Sequence, residues 1–249
     1  ICPEKAFIGR SEVQYVGIKL SKEGLRIDPA KVKALHEAPR PTDAKGVRRF
    51  LGAAGFSRQW IPHFSQNTIH MTSLLKDGVK FEWNDRHDKE YDYILKQMAS
   101  ERCLALFSWH RPVYLRTDAS GIGYGATISQ PTADGKKKRV VHYASKRLTE
   151  TEGKRCARDL EVGALVWAVS KFRPYLLHNK QFFVEGDHAP IAWLNQYKGN
   201  NRRLYNYSLA LSDYEFRWTY RKGETTRFSW CNTEPQGEVN QTTMESKYR

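Results

Sequence analysis

The sequence predicts an α/β protein with a five-stranded mixed sheet and a crossover helix, preceded by a mainly helical region with a short β-hairpin. Short alternating segments typical of strands follow residue 110. A long segment with helical periodicity separates the third of these strands from the fourth. Because a helix crossover returns the chain in the same direction, we expect the fourth strand to be parallel to an earlier one.

The first region combines one hairpin with several helices. Residues 11–27 alternate in polarity around a Lys-Glu-Gly turn signal, which predicts the hairpin. Asp28 is then expected to cap a helix that has Pro29 in its first position. Thr42 is expected to cap a second helix, and residues 88–104 show the periodicity of a third.

The second region supplies the sheet. Its apolar stripe at Leu165, Val169, Phe172 and Leu176 has the spacing of a helix that packs on a sheet. The predicted strands are residues 111–118, 123–130, 139–145, 181–187 and 215–223.

Composition limits the classes of function. Apolar residues make up 40% of the chain, which argues against wholesale disorder. The 41 Lys and Arg residues exceed the 27 Asp and Glu residues, and the resulting charge of +14 favours a polyanionic partner over a merely solubilising role. Four scattered cysteines without a C-x-x-C pair suggest reduced thiols inside a cell. The absence of a long apolar run predicts no membrane partner, and the start at Ile1 suggests a piece of a longer protein.

Three acidic residues stand at element ends in the second region. Asp118 ends the first predicted strand, Asp187 ends the fourth, and Glu161 lies near the start of the crossover helix. If the two strands are parallel neighbours, both aspartates lie at one sheet edge, where the carboxylates would repel unless divalent cations such as Mg²⁺ neutralised them. Ordinary capping and turn roles remain the alternative.

Longer motifs carry a resemblance to a known family. TDASGIGYGA, HYASKRLTETE, DLEVGALVWAV and FRPYLLHNKQFFVEGDH resemble the ribonuclease H domain of gypsy-class LTR-retrotransposon Pol polyproteins. Upstream, YVGIKLSKEGLRIDPAKVKAL, RRFLGAAGFSRQWIPHFS and FEW are similar to the reverse-transcriptase thumb and connection region. The resemblance implies a thumb/connection-like region at residues 1–106, a ribonuclease H-like domain at 107–230 and a polar tail at 231–249.

The resemblance implies a nuclease that hydrolyses the RNA strand of RNA–DNA hybrids with two Mg²⁺ ions, for which Mn²⁺ can substitute. The motif match assigns Asp118, Glu161 and Asp187 as the catalytic, metal-binding carboxylates. Of the two acids at the helix start, the match assigns Glu161 rather than Asp159. The metal ions of such a site activate a water molecule and stabilise the charge that develops on the phosphate.

The expected partner is therefore a hybrid duplex, with the rest of a Pol polyprotein as a further candidate. Arg58, Ser120 and Lys146 are candidate nucleic-acid contacts, because basic and hydroxyl side chains hold phosphates. The expected location is intracellular, in the cytoplasm or in a particle, with access to the nucleus left open. The sequence does not fix the oligomeric state.

Departures from the family pattern support an alternative. The aspartate expected after the fifth strand is missing, and Glu224 and Glu234 do not lie in the matching context. A catalytically decayed relic that binds nucleic acid without cutting it is therefore the second hypothesis, and a partner-binding role for the helical region is the third. Cys156 replaces the usual serine cap of the crossover helix. The chain contains no Asp-Asp dipeptide, so it is not expected to polymerise DNA.

Overall fold

The computed structural model describes residues 9–100, 102–177, 179, 182–186 and 201–220. Within them the strands are β1 (Glu12–Tyr15), β2 (Ile18–Ser21), β3 (Gly24–Ile27), β4 (Val113–Ala119), β5 (Gly123–Pro131), β6 (Lys138–Arg147), β7 (Phe182–Gly186) and β8 (Arg217–Tyr220). The helices are α1 (Pro29–Glu37), α2 (Ala44–Phe56), α3 (Ile69–Ser73), α4 (Asp85–Ala99), α5 (Glu150–Gly153), α6 (Ala157–Lys171), α7 (Arg173–Leu176) and α8 (Arg202–Leu211). In this part of the chain no helix is both long and apolar enough to cross a bilayer.

The amino-terminal strands form a three-stranded antiparallel meander, β1-β2-β3, rather than the single hairpin that the sequence predicts. The additional turn lies at Val16 and Gly17, whose φ angles are 49° and 73°. A β-branched residue rarely adopts a positive φ, so this turn carries no recognisable signal. Gly24 is required by packing, because a Cβ there would lie 1.9 Å from the carbonyl oxygen of Leu104.

The helical region is stabilised by side-chain caps and one apolar core. Asp28 caps α1 as predicted and accepts a hydrogen bond from the backbone amide of Ala30 at 3.0 Å. The expected cap at Thr42 is wrong: Asp43 caps α2 and accepts from the Gly46 amide at 2.6 Å, the spacing that satisfies an unpaired amide of the first turn. The core includes Val47, Phe50, Met71, Ile94 and Met98.

The second region forms the predicted five-stranded mixed sheet, in the order β6-β5-β4-β7-β8. Strand β4 pairs antiparallel with β5 and parallel with β7, so the first and fourth predicted strands are parallel neighbours. The crossover helix is α6, which continues into α7, and its predicted apolar stripe is 1–2% exposed at Leu165, Val169, Phe172 and Leu176. Cys156 is the N-cap of α6, and its side chain makes no capping hydrogen bond.

The helical region contacts the sheet through residues 58–66. The Arg58 guanidinium donates to the carbonyl oxygen of Ser145 at 2.7 Å, and the Ser65 amide donates to the Ser145 hydroxyl at 2.9 Å. The indole of Trp60 is 1% exposed and donates to the Leu25 carbonyl at 3.1 Å. The Arg58 and Ser65 contacts cover part of the outer edge of β6, which would otherwise offer unpaired backbone groups. The domain limits at 106/107 and 230/231 stay predictions.

Candidate functional site

Asp118 lies near the end of β4, on the sheet face opposite α6. Val113 and Leu115 are fully buried against the core that contains α6. Because successive side chains of a strand alternate between faces, Asp118 lies on the other face with Arg116. Its side chain is exposed, and Gly125 lies directly across from it on β5. The candidate acid is therefore accessible from solvent.

A histidine from the helical region forms one wall beside Asp118. A Cβ added at Gly125 would lie 2.9 Å from Cε1 and 3.0 Å from Nδ1 of His63, and 3.8 Å from the Cβ of Asp118. The imidazole therefore occupies the space that a side chain at position 125 would fill. His63 has a left-handed φ of 50°, and its carbonyl oxygen accepts hydrogen bonds from the amides of Gln66 and Asn67, both at 3.0 Å.

The environment of His63 favours its neutral form. Burial lowers the pKa of the imidazole, the nearby Asp118 carboxylate opposes this shift, and the positive charge of Arg116 adds to it. A neutral ring can pack against the β5 backbone at little desolvation cost. This residue was not predicted from the sequence. The available signals were a glycine in a strand and a histidine between Pro62 and Phe64, and neither is specific.

The start of α6 distinguishes its two acids. Asp159 is 6% exposed and forms an ion pair with Arg203 of α8. Glu161 is half-buried. Between them, Leu160 packs in an apolar cluster that includes Ala119, the residue next to Asp118. The structure thus brings the acid-bearing start of α6 close to the end of β4. It also gives Asp159 a structural partner, Arg203, and the assignment of Glu161 as a metal ligand stays a prediction.

The end of β4 and the start of α6, together called the corner below, carry side chains of the kind that bind a divalent cation. Asp118 and Glu161 offer hard carboxylate oxygens, which Mg²⁺ prefers. The parallel partner β7 ends at Gly186, and Arg116 is paired with Glu185, so β7 and β4 end at the same sheet edge. Asp187 lies outside the described residues, as do Glu224 and Glu234. Within the described segments no three His, Cys, Asp or Glu side chains group closely enough to hold a metal.

The three candidate nucleic-acid contacts all make intramolecular bonds. The Ser120 hydroxyl accepts from the amide of Gly123 at 3.2 Å and donates to its carbonyl at 3.1 Å, which closes the turn between β4 and β5. Lys146 forms an ion pair with Glu152 at 3.1 Å. Arg58 joins the helical region to β6. Their contacts with nucleic acid stay predictions.

Comparison with protein families gives a match over the sheet region. Residues 108–214 match the model of the RNase H-like domain found in reverse transcriptase. The chain is 31% identical over 222 residues to the Pol polyprotein of transposon 412 and 32% identical over 220 residues to that of transposon 297, both from Drosophila melanogaster. These matches cover 89% and 86% of this chain but 18% and 20% of the relatives. The chain thus spans about a fifth of their length.

Solved structures share the fold. A foamy viral protease–reverse transcriptase in complex with double-stranded DNA superposes with a TM-score of 0.73 and 19% identity, over 87% of this chain and 46% of that one. The same kind of protein in complex with an RNA/DNA hybrid gives 0.71 and 18%, over 98% of this chain and 33% of that one. These likenesses extend through the helical region as well as the sheet.

Proposed function

Since residues 108–214 belong to the RNase H-like domain family found in reverse transcriptase, within a chain that corresponds to part of a retrotransposon Pol polyprotein, we propose that this protein hydrolyses the RNA strand of RNA–DNA hybrids. The observation that carries the proposal is the exposure of Asp118 near the end of β4, where the next residue, Ala119, packs with Leu160 at the start of α6. An accessible carboxylate next to a second acid-bearing element is the arrangement that a metal-dependent phosphodiesterase requires.

Each side chain of this corner has a role in the proposed reaction. Asp118 and Glu161, with Asp187 from the sequence motif, would hold two divalent cations, which supply an activated water molecule and stabilise the charge on the phosphate. His63 packs beside Asp118 and limits the directions in which the carboxylate can turn. Asp159 and Arg203 form an ion pair that holds α8 against the start of α6.

The charge of the chain supports a nucleic-acid substrate. A formal charge of +14 attracts a phosphate backbone and speeds its association. A hybrid is further suggested by the foamy viral protein of similar fold, which was solved with an RNA/DNA hybrid. We also propose an intracellular location and association with other Pol segments.

A cleavage assay with matched variants tests the proposal. The parent protein, Asp118→Asn and Asp77→Asn are incubated with a hybrid labelled on the RNA strand, in millimolar Mg²⁺ or Mn²⁺. Asp77 is an exposed acid outside the sheet and serves as the control for charge removal. Cleavage by the parent and Asp77→Asn, but not by Asp118→Asn, is expected. An intact hybrid with the parent protein, beside a control enzyme that cuts it, would contradict the proposal.

A second candidate function is binding without cleavage. It is favoured by the missing aspartate after the fifth strand, since loss of one ligand weakens a two-metal site. In that case the parent binds the hybrid with an affinity that falls as salt rises, and no product forms in either metal.

A further inference from the structure

A cationic cleft lies at the outer edge of the sheet, beyond the corner that holds Asp118. The cleft has a volume of about 380 Å³ and runs along β6 between the segment that carries Arg58 and the carboxyl-terminal part of α6. Trp167 and Lys171 line it on the α6 side, and Ser145 and Arg147 line it on β6. It is therefore built jointly by the helical region and the sheet region.

Three of the four positive charges that line the cleft have no acidic partner among the described residues. No aspartate or glutamate lines it, and in the described part of the chain no carboxylate lies within ion-pairing distance of Arg58, Arg147 or Lys171. Lys146 differs, because Glu152 neutralises it. Three cations held around one cavity repel one another, and a bound anion would relieve that repulsion.

The neighbouring histidine responds to this local field. Burial lowers the pKa of His142 to about 4, and the positive charges of Lys171 and Arg58 act in the same direction. Its ring packs edge-on against Phe172. Lys171 and Arg58 come from two different elements, yet both lower the pKa of the same imidazole, and all three residues line the cleft.

The sheet register relates the cleft to the candidate acid. Ser145 pairs with Gly125 on β5, and Gly125 pairs with Asp118 on β4. With neighbouring strands about 4.8 Å apart, Ser145 lies roughly 10 Å from Asp118 across the sheet. Because phosphates of one strand follow one another about every 3.4 Å along the axis of a duplex, this separation corresponds to about three nucleotides.

We propose that this cleft binds the phosphodiester backbone of a nucleic acid, a few nucleotides from the phosphate that lies at Asp118. Arg147 and Lys171 are the principal contacts, and the Trp167 ring and the Ser145 backbone form the walls. The site would hold a duplex in register with the candidate acid while reading no base sequence. The proposal deepens the nuclease proposal and rests on it for the nature of the substrate.

Paired charge reversals test the cleft independently of hydrolysis. Arg147→Glu with Lys171→Glu changes the cleft, and Lys89→Glu with Lys96→Glu makes the same charge change on the exposed side of α4. Hybrid binding is measured in EDTA over a series of salt concentrations, so that no cleavage occurs. A milder pair, Arg147→Gln with Lys171→Gln, accompanies them in case the reversal disturbs folding, which far-UV circular dichroism reports.

The expected result is at least a tenfold loss of affinity for the cleft reversal at low salt, with a slope of log affinity against log salt that is smaller by about two. The glutamine pair should lie between the reversal and the parent, and the α4 pair should stay within threefold of the parent. Equal losses for the cleft and α4 pairs, or parent-like binding by both cleft pairs, would overturn the proposal. Inorganic phosphate that binds as tightly as the hybrid would overturn the backbone assignment. If the parent never cleaves the hybrid but the cleft reversal still weakens binding, the cleft proposal stands and only the hydrolysis proposal is refuted.

Discussion

His63 and Asp118 lie side by side, although one comes from the helical region and the other from the central strand of the sheet. A Cβ at Gly125 would lie 2.9 Å from the ring of His63 and 3.8 Å from the Cβ of Asp118, so the same small space adjoins both residues. The helical region therefore forms part of the wall of the candidate site and does not merely precede it.

The left-handed backbone at His63 predicts an unusual order of stability. His63→Gly and His63→Ala both remove the ring, but alanine at a φ of 50° is strained, so the glycine variant should be more stable by about 1 kcal/mol. The exposed helical position Lys96 is the control, where alanine should be the more stable by a similar amount. Urea denaturation measures both pairs. The same order at both positions would contradict the strain at His63.

The contact between His63 and Gly125 predicts an energetic coupling. Gly125→Ala places a methyl group within 3 Å of the imidazole and should cost about 1–2 kcal/mol of stability. In a His63→Gly background the same substitution should cost much less, because the space is empty. A double-mutant cycle measured by denaturation gives the difference. Additive effects would show that the ring does not occupy this space in solution.

The adjacent acids of α6 should respond differently to amide substitution. Glu161→Gln is expected to abolish hybrid cleavage in a protein that remains folded, since Glu161 is the proposed ligand and is only half-buried. Asp159→Asn is expected to lower stability and to retain cleavage at temperatures where the protein is folded, since Asp159 pairs with Arg203. Cleavage and thermal unfolding are measured on both variants. Cleavage by Glu161→Gln at the parent rate would remove Glu161 from the site.

Most of the sheet could be predicted, because the periodicity of each segment gives its type and the order of strands and helix along the chain limits how the strands pair. The apolar stripe from Leu165 to Leu176 is buried as expected, and the crossover rule gives the parallel pairing of β4 with β7. The turn at Val16 could not be predicted, because its conformation is rare for valine. His63 was missed for another reason: its place beside Asp118 depends on how residues 58–66 dock on the sheet, which no local pattern encodes.

The ion pair between Arg203 and Asp159 predicts a penalty that depends on which partner is removed. Arg203→Met leaves the Asp159 carboxylate buried without its cation and should cost about 2 kcal/mol, less than for a fully enclosed pair because the Arg203 side chain is 40% exposed. Adding Asp159→Asn should recover part of the loss, because an amide is cheaper to bury than a charge. Denaturation of the single and double variants checks this. A double variant less stable than Arg203→Met would contradict the proposed penalty of the unpaired charge.

The lowered pKa of His142 predicts that stability falls in mild acid. An unfolded histidine binds a proton near pH 6.5, whereas the folded His142 does so only near a pKa of about 4. Between these values the unfolded state binds more protons, so stability decreases as the pH falls through the window and levels off below it. The full loss is on the order of 3 kcal/mol, at about 1.4 kcal/mol for each unit of pKa shift.

The variant His142→Phe keeps a ring against Phe172 and removes the titration. Urea denaturation of parent and variant from pH 7 to pH 4.5 separates His142 from the carboxylates, whose titration is common to both proteins. The parent should lose stability relative to the variant progressively below pH 6.5. Parallel curves across this range would mean that His142 takes up its proton in the folded protein as readily as in the unfolded one, and that the field of Lys171 and Arg58 does not reach it.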